Sequence, residues 1–296
     1  MFDDFLRNKE ILVTVGIPTY KRPELLKNAL NSLKMQSYKN IKIIIGVNGN
    51  NDEIEKYKII ERNFINELNI EFYFHNKNIG AINNILYLLK ICNTKYFMWL
   101  SDDDTISPKF IESSLNCLEK NSDAVTVMST WELVYSNNKT KKIIPSYFDQ
   151  NSKLKRIINY CNITDDAFFY GLHRTLNLKK CSFSNFWGPN SELISNWAYV
   201  YLFDLVIQGK ILFNPDKEAK WIDSDFGKKF YRKDNGKKYK VIFQKFIKKI
   251  NIKYFYLLKL IKWKQYHYIP IILTFLIYVF IRDLIFGEKV YKKIEL

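Results

Sequence analysis

The chain has 296 residues, 47% of them hydrophobic and 26% charged, which is enough apolar material for one large core and excludes a disordered chain. Its formal net charge of +16 would suit nucleic acid if spread evenly, but residues 1–227 carry 28 Lys/Arg against 26 Asp/Glu, whereas residues 228–296 carry 18 against 4. The front is therefore nearly neutral and the tail holds the charge.

In chain order, Ile11 to Ile17 is a short β-branched run ending at Pro18, the pattern of a strand buried on both faces. Pro23 to Leu33 places Leu25, Leu26, Ala29, Leu30 and Leu33 at helical spacing, with Pro23 suited to the first turn. Ile41 to Val47 reads as a second buried strand, closed by the turn residues Asn48 to Asp52. A helix over 53–68, a strand over Ile70–Phe74, a helix over Ile82–Cys92 and a strand over Tyr96–Leu100 follow. This βαβαβαβ alternation predicts a doubly wound, mainly parallel sheet of the α/β class, whose ligands bind beyond the carboxyl ends of the strands. Pro18 to Arg22, Asn48 to Asp52 and Ser101 to Asp104 fall at those ends and should converge on one crevice.

Beyond residue 125 the alternation weakens into aromatic segments, and Trp197 to Gln208 reads as a helix stopped by Gly209 in a left-handed cap. Residues 10–125 are expected to form the half that carries the ligand crevice and 126–227 a second half on the same sheet, within one unit spanning 1–227. Cys92, Cys117, Cys161 and Cys181 are irregularly spaced, without zinc-ligand pattern, and read as reduced thiols. Asp3 and Asp4 stand where a signal peptide would carry positive charge, so export is not expected.

Asp102, Asp103 and Asp104 directly after a buried strand carry the chemistry. Adjacent carboxylates raise one another's pKa unless a positive group intervenes, and carboxylate oxygens suit Mg²⁺ or Mn²⁺. Mg²⁺ characteristically takes one or two carboxylates and completes its shell with substrate phosphates and water. The plain alternative is a solvated turn capping the helix that follows.

Val15-Gly16-Ile17-Pro18-Thr19-Tyr20-Lys21-Arg22, then Asn48-Gly49, then Asn76 with Asn78-Ile79-Gly80 and Asn83, then Leu100 to Asp104, together resemble the family 2 glycosyltransferases. The match covers roughly residues 10–125. Phe169 to Arg174 and Gly209-Lys210-Ile211 before Pro215 look similar to the acceptor half of bacterial members. The resemblance implies a Rossmann-like GT-A domain and inverting transfer from a nucleotide diphosphate sugar. It places Pro18, Thr19 and Tyr20 along the nucleotide, Arg22 near the diphosphate, Asn78, Gly80 and Asn83 in the donor-binding loop, and Asp102 and Asp103 toward the sugar nucleotide. Asp104, with Asp102, would hold the metal. The family's uracil-binding aspartate is replaced by Val47, which leaves Asn48 either on a pyrimidine edge or as a turn residue.

An inverting transfer needs a general base. By the same resemblance an acidic pair should lie before Gly209, but Trp197 and Ala198 stand there. Glu192, after the Trp187-Gly188-Pro189 turn, is the first candidate, and Asp204 is the second, although late in its helix a surface position is more ordinary. Asp165 and Asp166 rank below them. His173 reads as a structural histidine.

Residues 228–296 form a basic, aromatic-rich tail in which Tyr268 to Ile281 is an uncharged run of 14, short of the roughly 20 residues that span hydrocarbon. Cationic and apolar residues together suit a helix lying in an anionic membrane interface; core-packed helices with a basic outer face are the alternative. The expectation is a peripheral enzyme on the cytoplasmic side of the inner membrane, a hexosyl- or N-acetylhexosaminyltransferase using a UDP-sugar and Mg²⁺ or Mn²⁺. Its acceptor would be a lipid-linked or envelope glycan, and nucleic acid would not be a partner. A decayed transferase that only binds sugar nucleotide or membrane is the alternative, and an aspartate-nucleophile phosphotransferase a remote one, since Ile106 replaces the Thr or Val such enzymes require.

Overall fold

The computed structural model describes residues 12–49, 53–135, 139–163, 165–182, 197–222 and 254–286. Strand β1 (Val13–Thr19), helix α1 (Pro23–Lys34), β2 (Ile41–Val47), α2 (Ile54–Phe64), β3 (Ile70–Phe74), α3 (Ala81–Ile91) and β4 (Tyr96–Trp99) build the front half. They lie within a few residues of the elements read from hydrophobic period. Pro23 does stand in the first turn of α1, and Leu26, Ala29, Leu30 and Leu33 form its buried stripe. After β5 (Thr105–Ile106) come α4 (Phe110–Lys120), β6 (Ala124–Val134), β7 (Thr140–Ile143), α5 (Lys153–Ile163), a 3-10 turn at Ala167–Tyr170 and β8 (Leu172–Arg174). The chain continues through α6 (Thr175–Lys180), α7 (Trp197–Gln208), β9 (Lys210–Ile222), α8 (residues 254–262) and α9 (Ile269–Phe286).

The described strands form one nine-stranded mixed sheet in the order β3-β2-β1-β4-β8-β6-β9-β5, with β7 beside β6. β3, β2, β1 and β4 run parallel. β8 is inserted antiparallel to both β4 and β6, while β9 runs parallel to β6. From β1 the chain winds outward to β2 and β3 and then returns to the other side of β1 as β4, so a topological switch lies between β1 and β4. Register pairs Thr19 with Val47 and Gly16 with Trp99, which brings the loops after β1, β2 and β4 to one edge. β1 is buried along nearly its whole length, with Val13, Val15 and Ile17 apolar and the buried Thr14 and Thr19 hydrogen-bonded through their hydroxyls.

Gly209 differs from the expected left-handed cap: among the described glycines only Gly49 and Gly80 have positive φ. It is required instead by close packing, since an added Cβ would lie 2.5 Å from Val125 Cγ1 and 2.7 Å from the Asp123 carbonyl oxygen. The helix ends against the start of β6 and has no room for a side chain there.

The tail is partly a packed cap. Phe255, Tyr256, Leu260, Ile272 and Leu276 are buried with the main core, and Tyr256 stacks on Phe203 of α7 at 4.4 Å. Ile271, Leu273, Ile277 and Tyr278 on the other side of α9 are exposed. Among the described residues no helix is long and apolar enough to cross a membrane.

Candidate active site

The site begins with β1 running into a tight loop. The ladder ends at Thr19, and Lys21 adopts φ 56°, the left-handed region that costs a non-glycine residue about 1 kcal/mol or more unless its surroundings hold it there. What holds it is Tyr57 on α2. This tyrosine is fully buried; its hydroxyl lies 2.9 Å from Thr19 Oγ1 and accepts the Arg22 backbone N–H at 2.9 Å. The chain leaves this anchor with Arg22 as the residue before α1, its guanidinium turned toward the loop after β4.

There it meets the aspartates. Arg22 Nη2 lies 2.5 Å from Asp102 Oδ1, and Nη1 donates to Asp103 Oδ2 at 2.9 Å. Asp103 also takes the Ser101 hydroxyl. Asp102 is 0% and Asp104 4% exposed, and α4 begins after Lys109 without a side-chain cap, so the triplet is not a solvated capping turn. Neither Asp102 oxygen receives a hydrogen bond of full geometry, so its contact with Arg22 is an ion pair without directed alignment. Burial pushes the Asp102 carboxyl up to about 6, even though the Arg22 charge and the Thr19 hydroxyl both pull it down. Tyr170 faces the same cluster from the 3-10 turn, where burial and then the charges of Asp104, Asp166, Asp103 and Asp102 raise its phenol well above the ordinary range.

An all-carboxylate donor set with two buried oxygens lacking directed bonds fits a hard cation shared with a diphosphate. Among the described residues no three His, Cys, Asp or Glu side chains are arranged to hold a metal unaided. Asp102 and Asp104 are the buried carboxylates of this cluster that could hold one together with further oxygen ligands.

The facing wall is a second braced loop. Asn48 is buried, its Oδ1 accepting the Ile79 amide at 2.9 Å and its Nδ2 donating to Asn78 Oδ1 at 3.0 Å. Asn78 Oδ1 accepts the Gly80 amide as well, and Asn83 Nδ2 donates to the Ile79 carbonyl. A Cβ at Gly49, φ 79°, would lie 2.7 Å from the Asn78 nitrogen, so the two loops touch. Asn48 thus shapes this wall, and its carboxamide is committed to it; this favours the turn reading over the pyrimidine-edge reading. Val47 is sealed in the core, so the strand end presents no carboxylate at that position. Below the wall, Asn84 Nδ2 donates to the Gly46 carbonyl while its Oδ1 contacts His75 Nε2. Tyr20 leaves the loop half-exposed, with Lys21 Nζ 5.6 Å from its ring centroid.

The two base candidates fare differently. Glu192 lies outside the described residues. Asp204, expected near the surface, is 0% exposed and fully engaged. Lys259 Nζ lies 2.6 Å from its Oδ2, Trp263 Nε1 donates to Oδ1 at 2.6 Å, and the Ser182 amide donates to Oδ2 at 2.8 Å. It fastens α8 to α7, because burying a carboxylate is costly unless donors surround it. Asp165 accepts the amides of Ser146 and Ala167 and braces the turn that carries Tyr170. His173 is buried between the Thr126 hydroxyl and the Phe169 carbonyl, as a structural histidine would be.

Sequence reasoning missed Tyr57 and Tyr170. Tyr57 shares the inner face of α2 with Ile60, and a tyrosine at a helix core position signals a hydroxyl that must find an internal partner. Tyr170 had no such signal, since only the sheet brings β8 beside β4.

The sequence model named Glycosyl transferase family 2 matches residues 14–180. An uncharacterized glycosyltransferase of Rickettsia bellii is 33% identical over 129 residues, 43% of this chain and 18% of that protein. One from Haemophilus influenzae is 25% identical over 199 residues, 65% of this chain and 58% of the relative. The chain thus spans 18% to 37% of the length of the first Rickettsia relatives it matches. Among solved structures, S. aureus TarS 1-349 is similar with a TM-score of 0.57 at 18% identity, over 71% of this chain and 60% of that one. The same protein in complex with UDP-GlcNAc gives a TM-score of 0.54 over 72% and 59%. At this identity the likeness is one of fold.

Proposed function

The chain belongs to glycosyl transferase family 2, and from that premise we propose that it transfers a sugar, with inversion, from a nucleotide diphosphate donor to a glycan hydroxyl. The observation that carries this reading is the Arg22 brace across Asp102 and Asp103 at the switch point between β1 and β4. A cation and a carboxylate cluster side by side at a sheet edge suit a diphosphate and its counter-ion. TarS, similar in fold, has been solved with UDP and with UDP-GlcNAc, which supports a UDP-sugar donor here.

In this reading Tyr20 and the loop from Asn48 to Gly80 border the nucleoside, and Arg22 turns from the aspartates to the diphosphate. A bound Mg²⁺ or Mn²⁺, held by Asp104 and Asp102 together with the donor, would stabilise charge on the departing nucleoside diphosphate. The acceptor hydroxyl loses its proton to a carboxylate as it attacks the anomeric carbon. Glu192 is assigned that role, because Asp204 has its oxygens committed to Lys259, Trp263 and Ser182. That same commitment favours a second reading, a protein that binds sugar nucleotide without turnover. Release of nucleoside diphosphate from a panel of nucleotide sugars, with a membrane extract as acceptor, separates the two: release supports transfer, and binding without release supports the second.

We assign the acceptor to a lipid-linked or envelope glycan and the enzyme to the cytoplasmic face of the inner membrane. The exposed Ile271, Leu273, Ile277 and Tyr278 of α9, beside a basic tail, support an interfacial position. Co-sedimentation with phosphatidylglycerol liposomes tests it. Glutamate at Ile271 and Ile277 should leave the protein in the supernatant; equal pelleting would refute the assignment.

A further inference from the structure

We propose that Tyr57 is a positioning residue for the donor site, acting through Thr19 and Arg22; this rests on the nucleotide-sugar reading above. Its ring is fully buried on the inner face of α2, so it acts on a ligand only through its neighbours.

Its hydroxyl nevertheless sits at a node. The Arg22 backbone N–H is an obligate donor, so the phenol oxygen accepts from it at 2.9 Å. The same phenol lies 2.9 Å from Thr19 Oγ1, a second hydrogen bond in which either hydroxyl can donate. One hydroxyl therefore fixes both ends of the strained Lys21 turn.

The consequence lies in the reach of Arg22. Its guanidinium bridges Asp102 and Asp103 only because its Cα is fixed where the loop enters α1. Without the phenol, the Arg22 amide and the Thr19 hydroxyl lose their shared bond to α2, and the Lys21 turn loses the contact that holds its left-handed conformation. Arg22 then starts from many positions, and a diphosphate must pay the ordering that Tyr57 supplies in advance. The loss should appear in donor affinity, not in the fold.

The test is Tyr57→Phe, which keeps the ring and removes one oxygen. Tyr38→Phe is the control, since Tyr38 is a buried tyrosine of the same half whose hydroxyl faces Asn40 and not the Pro18–Arg22 loop. Binding of UDP with Mn²⁺ is measured by calorimetry, beside thermal unfolding. Tyr57→Phe should weaken UDP binding about tenfold, in the range seen when outer-shell partners are removed. In turnover assays the donor KM should rise with kcat little changed. Tyr38→Phe should bind as wild type. Equal affinity in Tyr57→Phe and wild type overturns the positioning role while leaving the donor reading intact. So does an affinity loss of the same size in Tyr38→Phe, which would mark a general loosening of the half. If wild type binds neither UDP nor GDP, CDP or dTDP, the donor reading itself fails, and this inference with it.

Discussion

Replacing Asp204 with alanine removes the counter-charge that Lys259, 4% exposed, has among the described residues, and strands the Trp263 indole and the Ser182 amide. Breaking a buried ion pair by deleting one partner costs about 3 to 5 kcal/mol, because the remaining charge stays out of water. Burial already holds the Lys259 ammonium below its ordinary pKa, against the pull of Asp204, so in the variant it escapes partly by losing its proton. That relief places the cost toward the lower end. At about 2 to 4 °C per kcal/mol for a chain of this size, the melting temperature should fall by roughly 6 to 15 °C at pH 7. The sign with pH follows from linkage: a lysine depressed in the fold binds fewer protons there than in the unfolded chain, so stability rises with pH toward 10.5. Thermal unfolding followed by circular dichroism at pH 7 and pH 9 should therefore show a smaller deficit at pH 9. Pairing Asp204→Leu with Lys259→Leu should restore much of the loss. An Asp204→Ala protein that melts within 2 °C of wild type yet has lost turnover would refute this account and return the carboxylate to catalysis.

Asp104→Ala should abolish metal-dependent nucleotide binding and transfer while the fold persists, since removing one of three adjacent carboxylates relieves repulsion; activity that survives EDTA would contradict the metal assignment. Glu192→Gln should lower turnover about a hundredfold with donor binding kept, and unchanged turnover in a full kinetic comparison would remove Glu192 from the mechanism. His173, fully buried, has its pKa lowered to about 4 mainly by burial. The unfolded chain takes up that proton near pH 6.5 and the folded one only near pH 4, so stability should be complete above pH 6.5 and fall by up to roughly 3 kcal/mol on the way to pH 4. Urea titrations of wild type and His173→Gln across that range check it, and equal pH slopes would discount the histidine.

The front half was legible because its signals are local. Residues such as Val13, Val15 and Ile17, or Leu26, Ala29, Leu30 and Leu33, repeat at the period of the element they form, and burial on both sheet faces keeps the strand largely apolar. The placement of Asp102 to Asp104 at a strand end followed from the same periodicity. Their burial did not, nor did the ion pair with Arg22, 80 and 81 residues away in sequence, because chain separation says nothing of distance once strands are parallel neighbours.

What the sequence by itself determined, then, was the alternation of strands and helices and the edge at which polar loops collect, both consequences of where apolar side chains recur. Only the tertiary structure decided which polar groups spend their capacity on the protein. Asn48 is committed to the loop at 78–80, Asp204 to Lys259, and Tyr57 to Thr19 and Arg22. Hydrogen bonds and ion pairs reach only about 3 Å, so whether a carboxylate or an amide is free for a ligand depends on atoms that pattern along the chain does not bring together. The same holds for the tail: its composition suits a membrane surface, but packing of Tyr256 and Leu260 on the body decides which face of the segment is left to meet one.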